Sequence, residues 1–185
     1  MSDRARADAP TAVILAAGQG SRLRNGDESV PKPLVSLVCL SLAEHCICGL
    51  LEAGIRRFVV VLGHEAERIR AHSEQIGRRR ACEVTFVVAE DWSEGNGSST
   101  LAARAAVGLT PFLLTMVDHV LPSSMIETVL GSPPSAQEIV LAVDRCKEET
   151  VFDPADLTKV SLQGDQVRLI GKELTEWDAG DTGLF

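Results

Sequence analysis

The sequence predicts an α/β fold with a mainly parallel central sheet, crossover helices and a C-terminal antiparallel hairpin. Short β-branched runs alternate with longer helical segments from Ala12 onward, and the rhythm changes after Asp144. The runs FVVVL and PFLLTMV are apolar throughout, as strands covered on both faces must be, which implies parallel strands joined by crossover helices. Val13 to Ala16 reads as the first strand, ending at a glycine loop, and Leu37 to Ala53 is long enough to read as a helix. Phe58 to Leu62 (strand), Glu65 to Gln75 (helix) and Val84 to Ala89 (strand) follow. Ser98 to Val107 reads as a helix, Phe112 to Val117 as a strand, Ser123 to Leu130 as a helix and Ile139 to Val143 as a strand. Then TKVSLQGDQVRLI sets two alternating strands around Gly164 and Asp165, a hairpin signal. GSPPS, from Gly131 to Ser135, is a short loop within the domain.

With 185 residues, 45% of them apolar, the chain has the material for one domain with a core, expected from residue 12 to residue 185 after a disordered tail at 1–11. No apolar run approaches the roughly 20 residues that cross a bilayer, so no membrane segment is expected. Met1 to Pro10 lacks the apolar stretch of an export signal, which predicts a cytoplasmic protein. Five cysteines without a CxxC pair argue against a disulfide framework and a zinc site, so Cys46 and Cys48 are expected as reduced thiols. A net charge of -8 disfavours nucleic acid as a partner. The basic run Arg78 to Arg80 reads as a solvated turn before a strand.

The stretch LAAGQGSRLRNGDESVPKPL follows the first strand, where open α/β sheets bind ligands. Gly18 and Gly20 let backbone amides approach an anion, and Arg22 and Lys32 supply positive charge. Two familiar glycine motifs fail: a third glycine of the dinucleotide fingerprint would fall at Leu23, and no Gly-Lys-Ser/Thr follows. Pro31 and Pro33 limit where Lys32 can point, although a plain glycine turn with a surface lysine also fits the residues. Asp118 ends a buried strand, where a carboxylate has no packing role, so it is a magnesium candidate or a cap for the helix after Pro122. His119 reads as a spacer or a support behind Asp118, not a catalyst. In EDWSEGNGSSTL, Gly95, Asn96 and Gly97 precede a helix whose first amides and Ser98 suit a nucleobase or ribose, and capping by Ser98 or Ser99 fits equally.

Leu15-Ala16-Ala17-Gly18, Gly20, Arg22-Leu23 and Pro31-Lys32-Pro33-Leu34 resemble the signature loop of nucleotidyltransferases that activate sugar and alcohol phosphates. With GNGSSTL, LLTMVDHV, TKV, LIGKEL and DTGLF in the same order, the chain from Ala12 to Phe185 is similar to the inositol-1-phosphate cytidylyltransferases. The resemblance implies a Rossmann-like three-layer nucleotidyltransferase fold that transfers a cytidylyl group from CTP to inositol 1-phosphate with Mg2+. Phosphocholine, an aminophosphonate or a hexose 1-phosphate are alternative acceptors, and a non-catalytic nucleotide-sensing module is a further alternative. By the same resemblance, Leu15 to Gly18, Gly20, Ser21, Arg22, Lys32 and Gly95 to Ser98 bind the nucleotide, Arg22 and Lys32 act in catalysis, and Asp118 holds the metal. Lys172, Asp144, Asp181, Thr182 and Gly183 fall where relatives meet the acceptor. The chain departs from the pattern at Val117 and Cys39, both common glycine positions. Relatives continue past the equivalent of Phe185 with a second metal carboxylate, which implies a truncated domain, and some are fused to a membrane CDP-alcohol transferase.

Overall fold

The computed structural model describes residues 10–19, 30–135, 137–145 and 156–185. These fall into two compact units, divided between Pro133 and Pro134. In the first, β1 (Thr11–Ala16) leads into the glycine loop and then a 3-10 turn (Lys32–Leu34). Next come β2 (Ser36–Leu37), β3 (Leu40–Ser41), α1 (Leu42–Glu52), β4 (Arg57–Leu62), α2 (Ala66–Arg80) and β5 (Glu83–Val88). A second 3-10 turn (Trp92–Glu94) precedes α3 (Asn96–Ala102), α4 (Arg104–Val107), β6 (Phe112–Met116) and α5 (Ser123–Leu130).

The central sheet has the order β5-β4-β1-β6, all parallel. From β1 the chain builds outward through β4 and β5, then places β6 on the other side of β1. The strand order therefore reverses between β1 and β6, which is where such sheets open a crevice beyond their carboxyl ends. In the central strands β1 and β4 both faces are buried, as the unbroken run FVVVL predicts. Val13, Leu15, Val59 and Val61 pack with Ala89 and Ala103 on one face, while Ile14, Phe58 and Val60 are equally enclosed on the other.

Several boundaries differ from the sequence expectation for local reasons. β1 starts at Thr11, one residue inside the expected tail. The helix expected from Leu37 begins at Leu42, because Ser36 to Ser41 fold into the β2–β3 hairpin and the Ser41 hydroxyl accepts the Glu44 N–H at 3.1 Å as an N-cap. Helix α2 runs on to Arg80, so Arg78 to Arg80 form its last turn and not a separate turn, and they stay exposed as expected. Arg79 and Arg80 there meet opposite oxygens of the buried Glu44 carboxylate, at 2.7 and 3.1 Å. The helix expected over 98–107 starts earlier, at Asn96, and is interrupted at Ala103.

In the second unit β7 (Val143–Asp144), β8 (Lys159–Gln163), β9 (Gln166–Gly171) and β10 (Ala179–Asp181) form an antiparallel sheet of order β7-β10-β8-β9. The hairpin around Gly164 and Asp165 is present, with Gly164 at φ +63 in its turn. The strand expected at Ile139–Val143 contracts to β7 and pairs antiparallel. Ile139 is 81% exposed, so its apolar side chain supports no core position. Val160, Ala179 and Leu184 are fully buried in this unit. No helix among the described residues is long and apolar enough to cross a membrane.

Candidate functional site

A cavity of about 150 Å³ opens at the β1/β6 reversal, walled by Leu15 to Gly18, Lys32, Pro33, Trp92, Asn96, Ser99 and Met116 to Asp118. The ladder puts Leu15 opposite Met116, and the Val117 N–H continues it to the Leu15 carbonyl at 3.0 Å. The chain beyond β1 and the chain beyond β6 thus leave the sheet side by side.

Lys32 sits in the 3-10 turn behind Pro31, with Pro33 buried at its back. A lysine anchored this way has its backbone direction set by its neighbours. Its ammonium donates to Asp118 Oδ2 across the cavity. Burial pushes the Asp118 carboxyl up, but the hydrogen bond and charge of Lys32, with smaller help from His119 and the backbone, outweigh it and leave the group below its ordinary range. Asp118 is therefore a carboxylate at neutral pH, and it faces the cavity instead of capping α5, whose N-cap is Pro122 with no side-chain cap. Nδ1 of His119 is enclosed without a hydrogen-bond partner. Helix α1 supports the segment that follows Asp118: a Cβ on Gly49 would come within 2.7 Å of the Leu121 carbonyl oxygen.

Of the other expected nucleotide contacts, Leu15 to Gly18 and Asn96 line the cavity. Gly95 is the N-cap residue of α3, at φ +116, so neither Ser98 nor Ser99 caps that helix. The Ser98 hydroxyl donates to the Asp91 carbonyl at 2.9 Å, and the Asn96 amide to Met116 Sδ at 3.3 Å. Gly97 lies within the first turn of α3. Gly20, Ser21 and Arg22 fall outside the described residues. Val117 is 6% exposed and forms part of the wall.

The expected acceptor residues belong to the second unit. Asp144 pairs with Gly180 across β7 and β10. The Asp181 carboxylate accepts the Gly183 N–H at 2.7 Å, closing a turn at φ +72, and the Thr182 hydroxyl donates to the Ala142 carbonyl at 2.8 Å. Lys172 follows β9 and places its ammonium 3.6 Å from Asp156.

Trp92 and Met116 are wall residues that reading the sequence did not single out, and Ser99, expected only as a helix cap, is a third. One signal was available for Trp92: it is one of only two tryptophans and lies three residues before the GNG segment.

A family model described as MobA-like NTP transferase domain matches residues 12–169. A bifunctional IPC transferase and DIPP synthase from Rubrobacter xylanophilus is 35% identical over 175 residues, which is 94% of this chain and 37% of that protein. The protein of the same name from Thermococcus kodakarensis is 34% identical over 94% of this chain and 37% of its own length. The chain thus spans little more than a third of the length of these curated relatives. Among solved structures, the inositol-1-phosphate CTP transferase from T. maritima superposes with a TM-score of 0.81 at 25% identity, covering 95% of this chain and 69% of that one. A UDP-glucose pyrophosphorylase of Acinetobacter, at 17% identity and a TM-score of 0.72, shares the fold. The matched stretch spans every element that walls the cavity, and the chain belongs to the MobA-like NTP transferase domain family.

Proposed function

We propose that this chain transfers a cytidylyl group from CTP to inositol 1-phosphate, giving CDP-inositol and pyrophosphate. The observation that carries the reading is the meeting of Lys32 and Asp118 in one cleft at the strand-order reversal, beside the glycine loop. The T. maritima inositol-1-phosphate CTP transferase, similar over 95% of this chain, supports the choice of nucleotide and acceptor. A nucleoside triphosphate substrate also suits a cytoplasmic location.

In this mechanism an acceptor phosphate oxygen attacks the α-phosphorus of CTP in line, and the bond to the pyrophosphate oxygen breaks. Positioning and charge neutralisation supply most of the rate. The amides of Leu15 to Gly18, Gly20 and Ser21 hold the triphosphate, while Arg22 and Lys32 stabilise charge moving onto pyrophosphate. Gly95 to Ser98 meet the base and ribose. Lys172 anchors the acceptor phosphate, and Asp144 with Asp181 to Gly183 meet its hydroxyls.

Magnesium is commonly bound through one or two carboxylates together with substrate phosphates. Asp118, ionised and facing the cavity, fits the role of one such ligand, although no cluster of three or more His, Cys, Asp or Glu exists among the described residues. When bound, the metal would neutralise and orient the phosphates.

A second reading, nucleotide binding without turnover, is favoured by a valine, Val117, in the cavity wall at a position where glycine is common. Pyrophosphate release, measured over a panel of nucleoside triphosphates and phosphate acceptors, separates these readings. CTP with inositol 1-phosphate should exceed the next pair by more than about tenfold, or roughly 1.4 kcal/mol. Equal use of phosphocholine, an aminophosphonate or a hexose 1-phosphate would refute the acceptor assignment, and magnesium-dependent CTP binding without turnover would favour the second reading.

A further inference from the structure

We infer that Trp92 is a positioning residue: it clamps the turn that opens the glycine loop. Its effect on substrate rests on the nucleotidyltransferase reading, but its geometry does not. Gly63 directly follows β4. A Cβ at that position would stand 2.6 Å from Cγ and 2.8 Å from Cβ of Trp92, and 2.7 Å from the Ala17 carbonyl oxygen. The root of the indole and the backbone of the glycine loop therefore close on the same residue, at an approach that only glycine permits.

Two further contacts tie the same point together. The His64 N–H donates to that Ala17 carbonyl at 2.9 Å, and the His64 ring packs on the Trp92 ring with centroids 5.7 Å apart and planes tilted by 51°. Trp92 also packs against the core cluster of Val13, Leu15, Val59 and Val61. Segments that follow β1, β4 and β5 are thus locked at one aromatic side chain, which itself forms part of the cavity wall beside Ala17 and Gly18. A rigid ring in this place fixes the direction of the Ala17 and Gly18 amides before a polyphosphate arrives, and such preorganisation lowers the ordering cost of binding. A tryptophan that merely filled the core would need neither the closure on Gly63 nor a face in the cavity.

The test uses the full chain with Trp92→Ala, Trp92→Phe and Gly63→Ala, read by amide hydrogen exchange and by steady-state kinetics with CTP. In Trp92→Ala, the His64 amide should exchange roughly tenfold faster or more relative to amides of β4. KM for CTP should rise by roughly tenfold or more while kcat falls much less, because the loop loses its preset direction and the reacting groups remain. Trp92→Phe, which keeps a ring, should restore most of both, and Gly63→Ala should reproduce the KM increase by wedging the indole from Ala17. If Trp92→Ala does not fold, Trp92→Leu, apolar but ringless, takes its place with the same expectations. His64 exchange and KM within about twofold of the parent, or a Phe variant no better than the Ala variant, would overturn the clamp. A parent chain that turns over no nucleoside triphosphate would overturn the functional reading instead, and the exchange measurements would still decide the clamp.

Discussion

Replacing Lys32 by alanine separates stability from chemistry. Two unit charges about 4 Å apart interact by about 4 kcal/mol at an effective dielectric of ~20. The Lys32 and Asp118 side chains retain 23% and 26% of their exposure, so water recovers part of that energy when the pair is broken. A net coupling of about 1–2 kcal/mol is expected from a double-mutant cycle with Asp118→Asn in urea unfolding. The acid limb gives an independent check. Asp118 titrates below its ordinary value in the folded chain, so its contribution is complete above the ordinary carboxylate value of 3.8 and is lost as the pH falls through the lower folded value. Lys32→Ala should remove most of that pH-dependent portion. On the proposed mechanism the ammonium acts where charge develops, so catalysis should suffer far more: a loss of about 3 kcal/mol or more, over a hundredfold in kcat/KM for pyrophosphate release. A folded Lys32→Ala protein with near-normal kcat/KM, or a cycle with no coupling, would refute the role given to this pair.

The Glu44 cluster should respond asymmetrically. Its carboxylate is 6% exposed, whereas Arg79 and Arg80 keep 49% and 40%, so removing Glu44 lets both guanidiniums relax into water at about 1 kcal/mol. Removing both arginines strands a buried charge at about 3 kcal/mol or more, and equal urea midpoints for the two variants would contradict this. For the thiols, burial and then the nearby Asp118 charge push Cys46 up to about 12, while Cys39 is exposed. A thiol reagent at pH near 8 should modify Cys39 in the native protein and reach Cys46 only after denaturant is added, as mass spectrometry of the labelled peptides would show.

The parallel core was legible because β-branched runs such as FVVVL cannot be mistaken for amphipathic helices, and because both faces of that sheet are covered. The β2–β3 hairpin was not legible, since strands of two residues carry no period, and Ser41 reads as a cap only once the helix start is known. The ion pairs of Arg79 and Arg80 were not legible because their carboxylate partner, Glu44, lies 35 residues earlier for Arg79, on a different helix. Lys32 and Asp118 each stood out by chemistry, as a cation between prolines and a carboxylate ending an apolar strand. Their direct contact spans 86 residues and comes from the β1/β6 pairing, which no local pattern records. Trp92, Ser99 and Met116 converge for the same reason, from three separate segments.

The placement of β6 on the far flank of β1 has an evolutionary corollary. The hollow above those two strands is written into connectivity and main-chain hydrogen bonding, so on the proposed mechanism point changes at Lys32 or Asp118 would end turnover while the hollow persists. Under that mechanism, relatives altered at either residue would retain a receptacle for nucleotide without its turnover.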